Sequence, residues 1–154
     1  MDTATPMEGC LLCRAGGSRL ALPLVHVVET MRPMAIEPVP HVPSFVRGVA
    51  IIRGVAVPVV DAGALMGGAP VSASRWVSLR VAERGVALAV ESVEGVRALS
   101  RATFEALPPL LADAGTDVVA AIGTLDAELL VVLQLSRLLP ESAWSLLEPE
   151  GGHR

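Results

Sequence analysis

Apolar and polar positions alternate along this chain in short runs, and nearly every run is closed by glycine, proline or charge. Cys10 to Arg14 and Arg19 to Leu22 flank Ala15-Gly16-Gly17-Ser18, the pattern of two strands joined by a tight hairpin. Val25 to Met31 is apolar and β-branched, and prolines 33, 38, 40 and 43 then block any long helix. Val55 to Val60 predicts a strand, after which Asp61 can cap a short helix through Met66 that Gly67-Gly68 ends. Trp76 to Val81 and Val86 to Val90 predict a hairpin around Glu83 to Gly85. In its first arm Val77, Leu79 and Val81 alternate with Ser78 and Arg80, a period of two with one wet face. Val118 to Leu125 and Glu128 to Gln134 predict another hairpin turning at Asp126-Ala127. Short helices at Ser136 to Leu139 and Ser142 to Leu147 follow. Turn signals this frequent, with no long amphipathic helix, predict a mainly β fold of small barrels or a sandwich.

The tetrapeptide Arg-Gly-Val-Ala occurs at 47, 53 and 84. Reuse of turn-plus-strand chemistry accounts for it; a weak internal duplication across two similar barrels is the alternative. Residues 1–7 and 148–154 read as flexible tails around a single domain at 8–147.

Composition narrows the function. Of 154 residues 52% are apolar and 18% charged, the reverse of a disordered chain. A net charge of −4 argues against nucleic acid, whose binding surfaces are basic. The apolar runs fall short of the ~20 residues a helical span needs, so no membrane insertion is expected. The first ten residues lack a basic stretch leading into an apolar one, so the expected location is cytoplasmic. Lysine is absent, which excludes a P-loop lysine, a kinase lysine and a Schiff-base lysine.

Candidate chemistry is sparse. Cys10-Leu-Leu-Cys13 has the spacing of a zinc or redox pair. On a regular strand, however, residues three apart face opposite sides, so buried structural thiols are the favoured reading over a metal or redox pair. His26 lies in an apolar run and His41 between prolines, with no nucleophile motif beside either. Glu91 with Glu94 and Asp113 with Asp117 read as solvated faces rather than catalytic pairs. No metal, cofactor or catalytic residue is assigned. Apolar composition spread over thin strands predicts exposed patches of the kind that mark partner sites. Glu29 and Arg53, each within an apolar stretch, stand out as interface anchors or plain surface charges.

Phe45-Val-Arg-Gly-Val-Ala-Ile-Ile-Arg-Gly-Val-Ala-Val-Pro-Val-Val-Asp61 resembles the signature of the CheW-like chemotaxis coupling family, in which an Asn-Leu-Arg-Gly turn leads into a strand ending Pro-Val-Val-Asp. Leu20 to Glu29, Leu88 to Val96, Ile122 to Leu125 and Leu129 to Leu139 resemble further family segments in the same order, so the resemblance runs from about residue 8 to 140. It implies two packed SH3-like five-stranded β-barrel subdomains with short helices. It also implies a non-enzymatic adaptor that joins the cytoplasmic tips of methyl-accepting chemoreceptors to the regulatory domain of a CheA-type histidine kinase, in receptor arrays. The receptor tip would lie as a helical hairpin in the groove between the barrels. Carried over by position, the implied partner contacts are Val27, Glu29, Gly48, Arg53, Val93 and Val96. The chain departs from the family pattern at Ile51, where the asparagine stands, and at Gln134 and Ser136, where acids are common. Those departures leave open an adaptor that binds only one partner; a small hydrolase or metal protein is the alternative of a different class. Glu29 and Arg53 are expected to pair across the first barrel, since a lone charge in apolar surroundings is costly.

Overall fold

The computed structural model describes residues 7–100, 104–106, 119–126 and 128–147. The tail residues 1–6 and 148–154, the Asp113/Asp117 pair and Val118 fall outside these; Met7, counted above with the tail, begins the first strand.

Strands β1 (Met7–Ala15) and β2 (Ser18–Pro23) form the expected hairpin, with Gly16 at a φ of 62° in its two-residue turn. The run from Val25 is not all strand. Leu24–His26 forms a 3-10 turn and β3 spans only Val27–Met31, because the chain leaves one sheet here for the other. Strands β4 (Val46–Ile52) and β5 (Val55–Asp61) turn at Arg53-Gly54, both left-handed. Asp61 then caps α1 (Ala62–Leu65) as expected: its Oδ1 accepts the Ala64 N–H at 2.8 Å, and Gly67 follows at a φ of 88°.

Strands β6 (Arg75–Val81) and β7 (Arg84–Val90) pair with a turn at Ala82-Glu83, earlier than the Glu83–Gly85 expectation. Both turn residues take positive φ, while Gly85 sits inside the ladder opposite Arg80. A glycine suggested the turn, but the pairing register determined it. Next come β8 (Ser92–Ser100), β9 (Phe104–Ala106), β10 (Val119–Leu125) and β11 (Glu128–Leu133), the last two turning at Asp126 as expected. The expected helix at Ser136–Leu139 is a 3-10 turn at Leu135–Arg137, and α2 runs Glu141–Leu147.

The strands form two sheets, ordered β8-β1-β2-β11-β10-β9 and β3-β6-β7-β5-β4, the frameworks of two SH3-like subdomains. The first sheet carries six strands rather than the expected five. Leu88 to Val96, which resembles one family strand, is divided at Glu91: β7 belongs to one sheet and β8 to the other. All three Arg-Gly-Val-Ala copies fall in the five-stranded sheet, inside β4, across the β4–β5 turn and at the start of β7. They therefore do not relate one subdomain to the other.

Strand alternation gives each sheet two apolar faces. Leu11, Cys13, Leu20 and Leu22 of one sheet pack with Val60, Val77, Leu79 and Leu88 of the other in a shared core. Behind it lie two separate clusters, one around Trp76, Val59 and Ile52, the other around Leu12, Leu130 and Cys10. Cys10 and Cys13 thus point to opposite faces of β1, as their spacing requires, and both are free and buried. Burial pushes the Cys13 thiol up to about 12, with the charge of Glu94 adding to the shift. Alkylation by iodoacetamide at pH 8 is expected to be negligible in the folded protein and fast in denaturant. Rapid labelling of Cys13 without denaturant would refute this account of the strand.

Candidate functional site

Three β-bulges decide where the polar side chains of this fold point, since an extra residue in one strand re-aims its neighbours. The β4–β5 ladder slips between Val46 and Gly48, which leaves Arg47 as the extra residue. Arg47 donates to Asp61 Oδ2 through Nε at 2.9 Å and through Nη2, and Nη2 also reaches the Val71 carbonyl at 2.9 Å. Asp61 is 1% exposed and additionally accepts the Val71 N–H at 3.1 Å. The pair is a structural clamp between β4, α1 and the loop that follows.

The second bulge lies where β1 meets β8, between Leu12 and Cys13, and makes Glu94 the extra residue beside Gly95 at a φ of 123°. Glu94 takes hydrogen bonds from Arg14 at 2.7 Å and from Arg19 at 2.8 Å. Arg14 also reaches Glu128, and Asp126 receives both Arg19 and Arg97. Glu94 is therefore not the freely solvated acid expected of the Glu91/Glu94 pair. The hydrogen bond from Arg19 first, and that from Arg14 after it, hold its carboxyl below the ordinary range. This network ties β8 and the β10–β11 turn to the first hairpin.

The third bulge, between Val27 and Glu29 in the β3–β6 ladder, makes Val28 the extra residue and leaves it exposed. Beside it Glu29 meets Arg53 in a two-pronged pair, Nε to Oε2 and Nη2 to Oε1, each 2.7 Å. The expected pairing is present, in the subdomain of the five-stranded sheet, where β3 and β4 are the two edge strands. Its expected cause is not. The Arg53 side chain is 75% exposed and that of Glu29 27%, so avoidance of a buried lone charge does not drive the contact. The left-handed turn at Arg53-Gly54 presents the guanidinium, and matching fork geometry holds it. The hydrogen bonds from Arg53 are the main cause of a lowered Glu29 carboxyl. With a depressed folded value, the pair is intact at neutral pH and is lost only as pH falls through that value.

Exposed apolar residues flank both partners of this clasp: Val28 precedes Glu29, and Ile51 and Val55 bracket the Arg53 turn. Ile51, at 62% exposed, also borders an apolar hollow with Met34, Ile36 and Val49. Nothing in the sequence pattern pointed to that hollow, because its walls are a proline-rich loop and a strand edge joined only by the Glu37–Val49 bridge.

The six positions implied by the resemblance do not form one cluster. Glu29 and Arg53 touch. Val27 and Val93 are half-buried against the shared core between the sheets. Val96, on β8 opposite Leu11, is 58% exposed. Gly48 is buried, and a side chain there would overlap the Glu37 carbonyl oxygen. His26 lies in the 3-10 turn with Nδ1 3.3 Å from the Arg80 carbonyl, and His41 is exposed at a φ of 69°. Among the described residues no group of three or more acids, histidines or cysteines could hold a metal, and no helix is long and apolar enough to cross a membrane.

Comparison with known proteins agrees with this architecture. The chemotaxis protein CheW of Klebsiella aerogenes is 22% identical over 141 residues, covering 90% of this chain and 85% of that protein. CheW of Rhizobium meliloti is 23% identical over 130 residues, covering 82% and 84%. The protein FrzA of Myxococcus xanthus is 38% identical over 58 residues, 38% of this chain and 36% of FrzA. The crystal structure of the scaffolding protein TtCheW from Thermoanaerobacter tengcongensis superposes with a TM-score of 0.75 at 21% identity, covering 86% of this chain and 92% of that one. With the CheW-like domain matching residues 9–143 as well, this chain belongs to the CheW-like family.

Proposed function

We propose that this protein is a non-enzymatic cytoplasmic adaptor that couples chemoreceptor cytoplasmic tips to a CheA-type histidine kinase. The observation that carries the reading is the Glu29–Arg53 clasp, a rigid and solvent-facing ion pair set among exposed Val28, Ile51 and Val55. Arginine ringed by apolar surface is the composition of an interface hot spot. Val27, Gly48, Val93 and Val96 complete the proposed contact set, with Val96 as its exposed member on the other subdomain.

An adaptor that binds only one of the two partners is the second reading. Ile51 favours it, because an exposed isoleucine stands where the family carries asparagine and cannot supply that residue's polar contact.

Pull-down from native cytoplasm tests both. The unmodified protein is expected to recover a histidine kinase and a receptor; Arg53→Glu loses them with little change in thermal midpoint, because the side chain is exposed. Glu29→Arg with Arg53→Glu restores the clasp and part of the binding. Recovery of neither partner by the unmodified protein would refute the coupling role, and recovery of one only would establish the narrower reading.

A further inference from the structure

A second surface lies where α2 crosses the end of the β6–β7 hairpin. It is a pocket of about 490 Å³ whose floor is apolar, with Val86, Leu138 and Trp144 among its walls. None of Val27, Glu29, Gly48, Arg53, Val93 and Val96 lines it, so it goes beyond the coupling surface proposed above. Two arginines stand at it against one glutamate, in a chain whose net charge is −4. The place is locally positive where the molecule as a whole is negative.

The cations are held in different ways. The Arg84 guanidinium lies 4.7 Å over the Trp144 ring and donates to Glu141 at 2.8 Å. The Glu141 side chain is 81% exposed, so water already competes for that carboxylate. Arg137 is exposed and has no ion-pair partner among the described residues. Glu141 thus shows where a carboxylate sits on Arg84, and Arg137 offers a place for a second.

The geometry points to a docking site for an acidic peptide segment of a partner protein, in which one apolar side chain enters the floor beside Trp144 and flanking carboxylates meet Arg137 and Arg84. The carboxylate on Arg84 displaces Glu141, which acts as an internal competitor. A polar neutral segment would leave both cations without the charge-assisted bonds that make the site selective.

The full-length protein carries its own reporter. Trp144 is partly exposed at the pocket, whereas Trp76 is buried in a separate cluster and gives a constant background emission. Titration with an N-acetylated Gly-Glu-Leu-Asp-Gly amide to about 1 mM, the weak end of specific affinity, is expected to change tryptophan emission saturably. The Gly-Gln-Leu-Asn-Gly counterpart and the Arg137→Glu protein bind about tenfold more weakly or not at all, the scale of one charge-assisted contact. Glu141→Gln binds more tightly, since Arg84 is released. Both substituted side chains are exposed, and the Trp76 emission checks that the variants are folded. Equal binding of the neutral peptide, no effect of Arg137→Glu, or no saturable change with the acidic peptide would each overturn the proposal. Partner recovery by Arg137→Glu in the pull-down is expected to match that of the unmodified protein, which keeps this site separable from the Arg53 surface.

Discussion

Replacing Asp61 with alanine is expected to destabilise the fold by about 3–5 kcal/mol, the cost of breaking a buried charge pair by removing one partner. The carboxylate is the meeting point of four groups. It caps α1 through the Ala64 N–H, accepts the Val71 N–H, and receives two donors of Arg47. Alanine leaves the buried Val71 donor unmatched and the guanidinium of Arg47 facing a hole. Asn in the same place keeps an acceptor for the cap and loses the charge, and its cost is expected at about 1–2 kcal/mol. Urea unfolding with a common slope measures both. If alanine costs less than about 1 kcal/mol, Asp61 is not the clamp described here.

Gly48→Ala is expected to be comparably damaging, about 3 kcal/mol or more, from two independent causes. The backbone φ of 143° is a region that side chains rarely adopt. A Cβ there would also overlap the Glu37 carbonyl oxygen and sit 2.8 Å from Ile36 Cγ2. The Glu37–Val49 bridge, with hydrogen bonds of 2.8 and 2.9 Å, must open to make room. That bridge closes the proline-rich loop onto β4 beside the hollow bordered by Ile51. Loss of partner binding in this variant would therefore follow from a displaced loop, not from a lost glycine contact. Thermal melting alongside pull-down separates the two. A variant with the unmodified stability that still fails to bind would make Gly48 a contact in its own right.

Local chemistry was legible where one or two residues suffice. Asp61 followed by a helix and then Gly67-Gly68 is a cap and a stop, and both are present. Gly16-Gly17 marks a hairpin because glycine tolerates the left-handed turn. The opposed faces of Cys10 and Cys13 follow from strand alternation alone. The 82–83 turn was misjudged because two ordinary residues, Ala and Glu, occupy positions where glycine is expected. The pairing of Trp76 with Ala89 and Val81 with Arg84 sets the register, and the strain is carried at the turn.

The site was legible only in part. Glu29 and Arg53 stood out as charges in apolar runs, and they do meet, 24 residues apart. The reason lay elsewhere: an exposed turn and a matching fork, with no buried charge to neutralise. The ion network around Glu94 and the Arg47–Asp61 clamp gave no signal, because each depends on a bulge. A bulge is a property of two paired strands, and a single strand's sequence does not contain it.

By itself the sequence determined the strand-rich class, the hairpins with glycine or capped ends, the opposed burial of the two cysteines, and the central segment from Phe45 to Asp61 that resembles the CheW-like signature. These rest on short-range sterics and on a hydrophobic period of two, which a chain carries residue by residue. Tertiary structure decided which strands share a sheet, that the chain divides at Glu91 to return to the first sheet, where the three bulges aim Arg47, Glu94 and Val28, and that α2 closes a cationic, apolar-floored pocket with Arg84 and Arg137. Those outcomes come from packing two sheets on one shared core, where partners many tens of residues apart settle register and direction together.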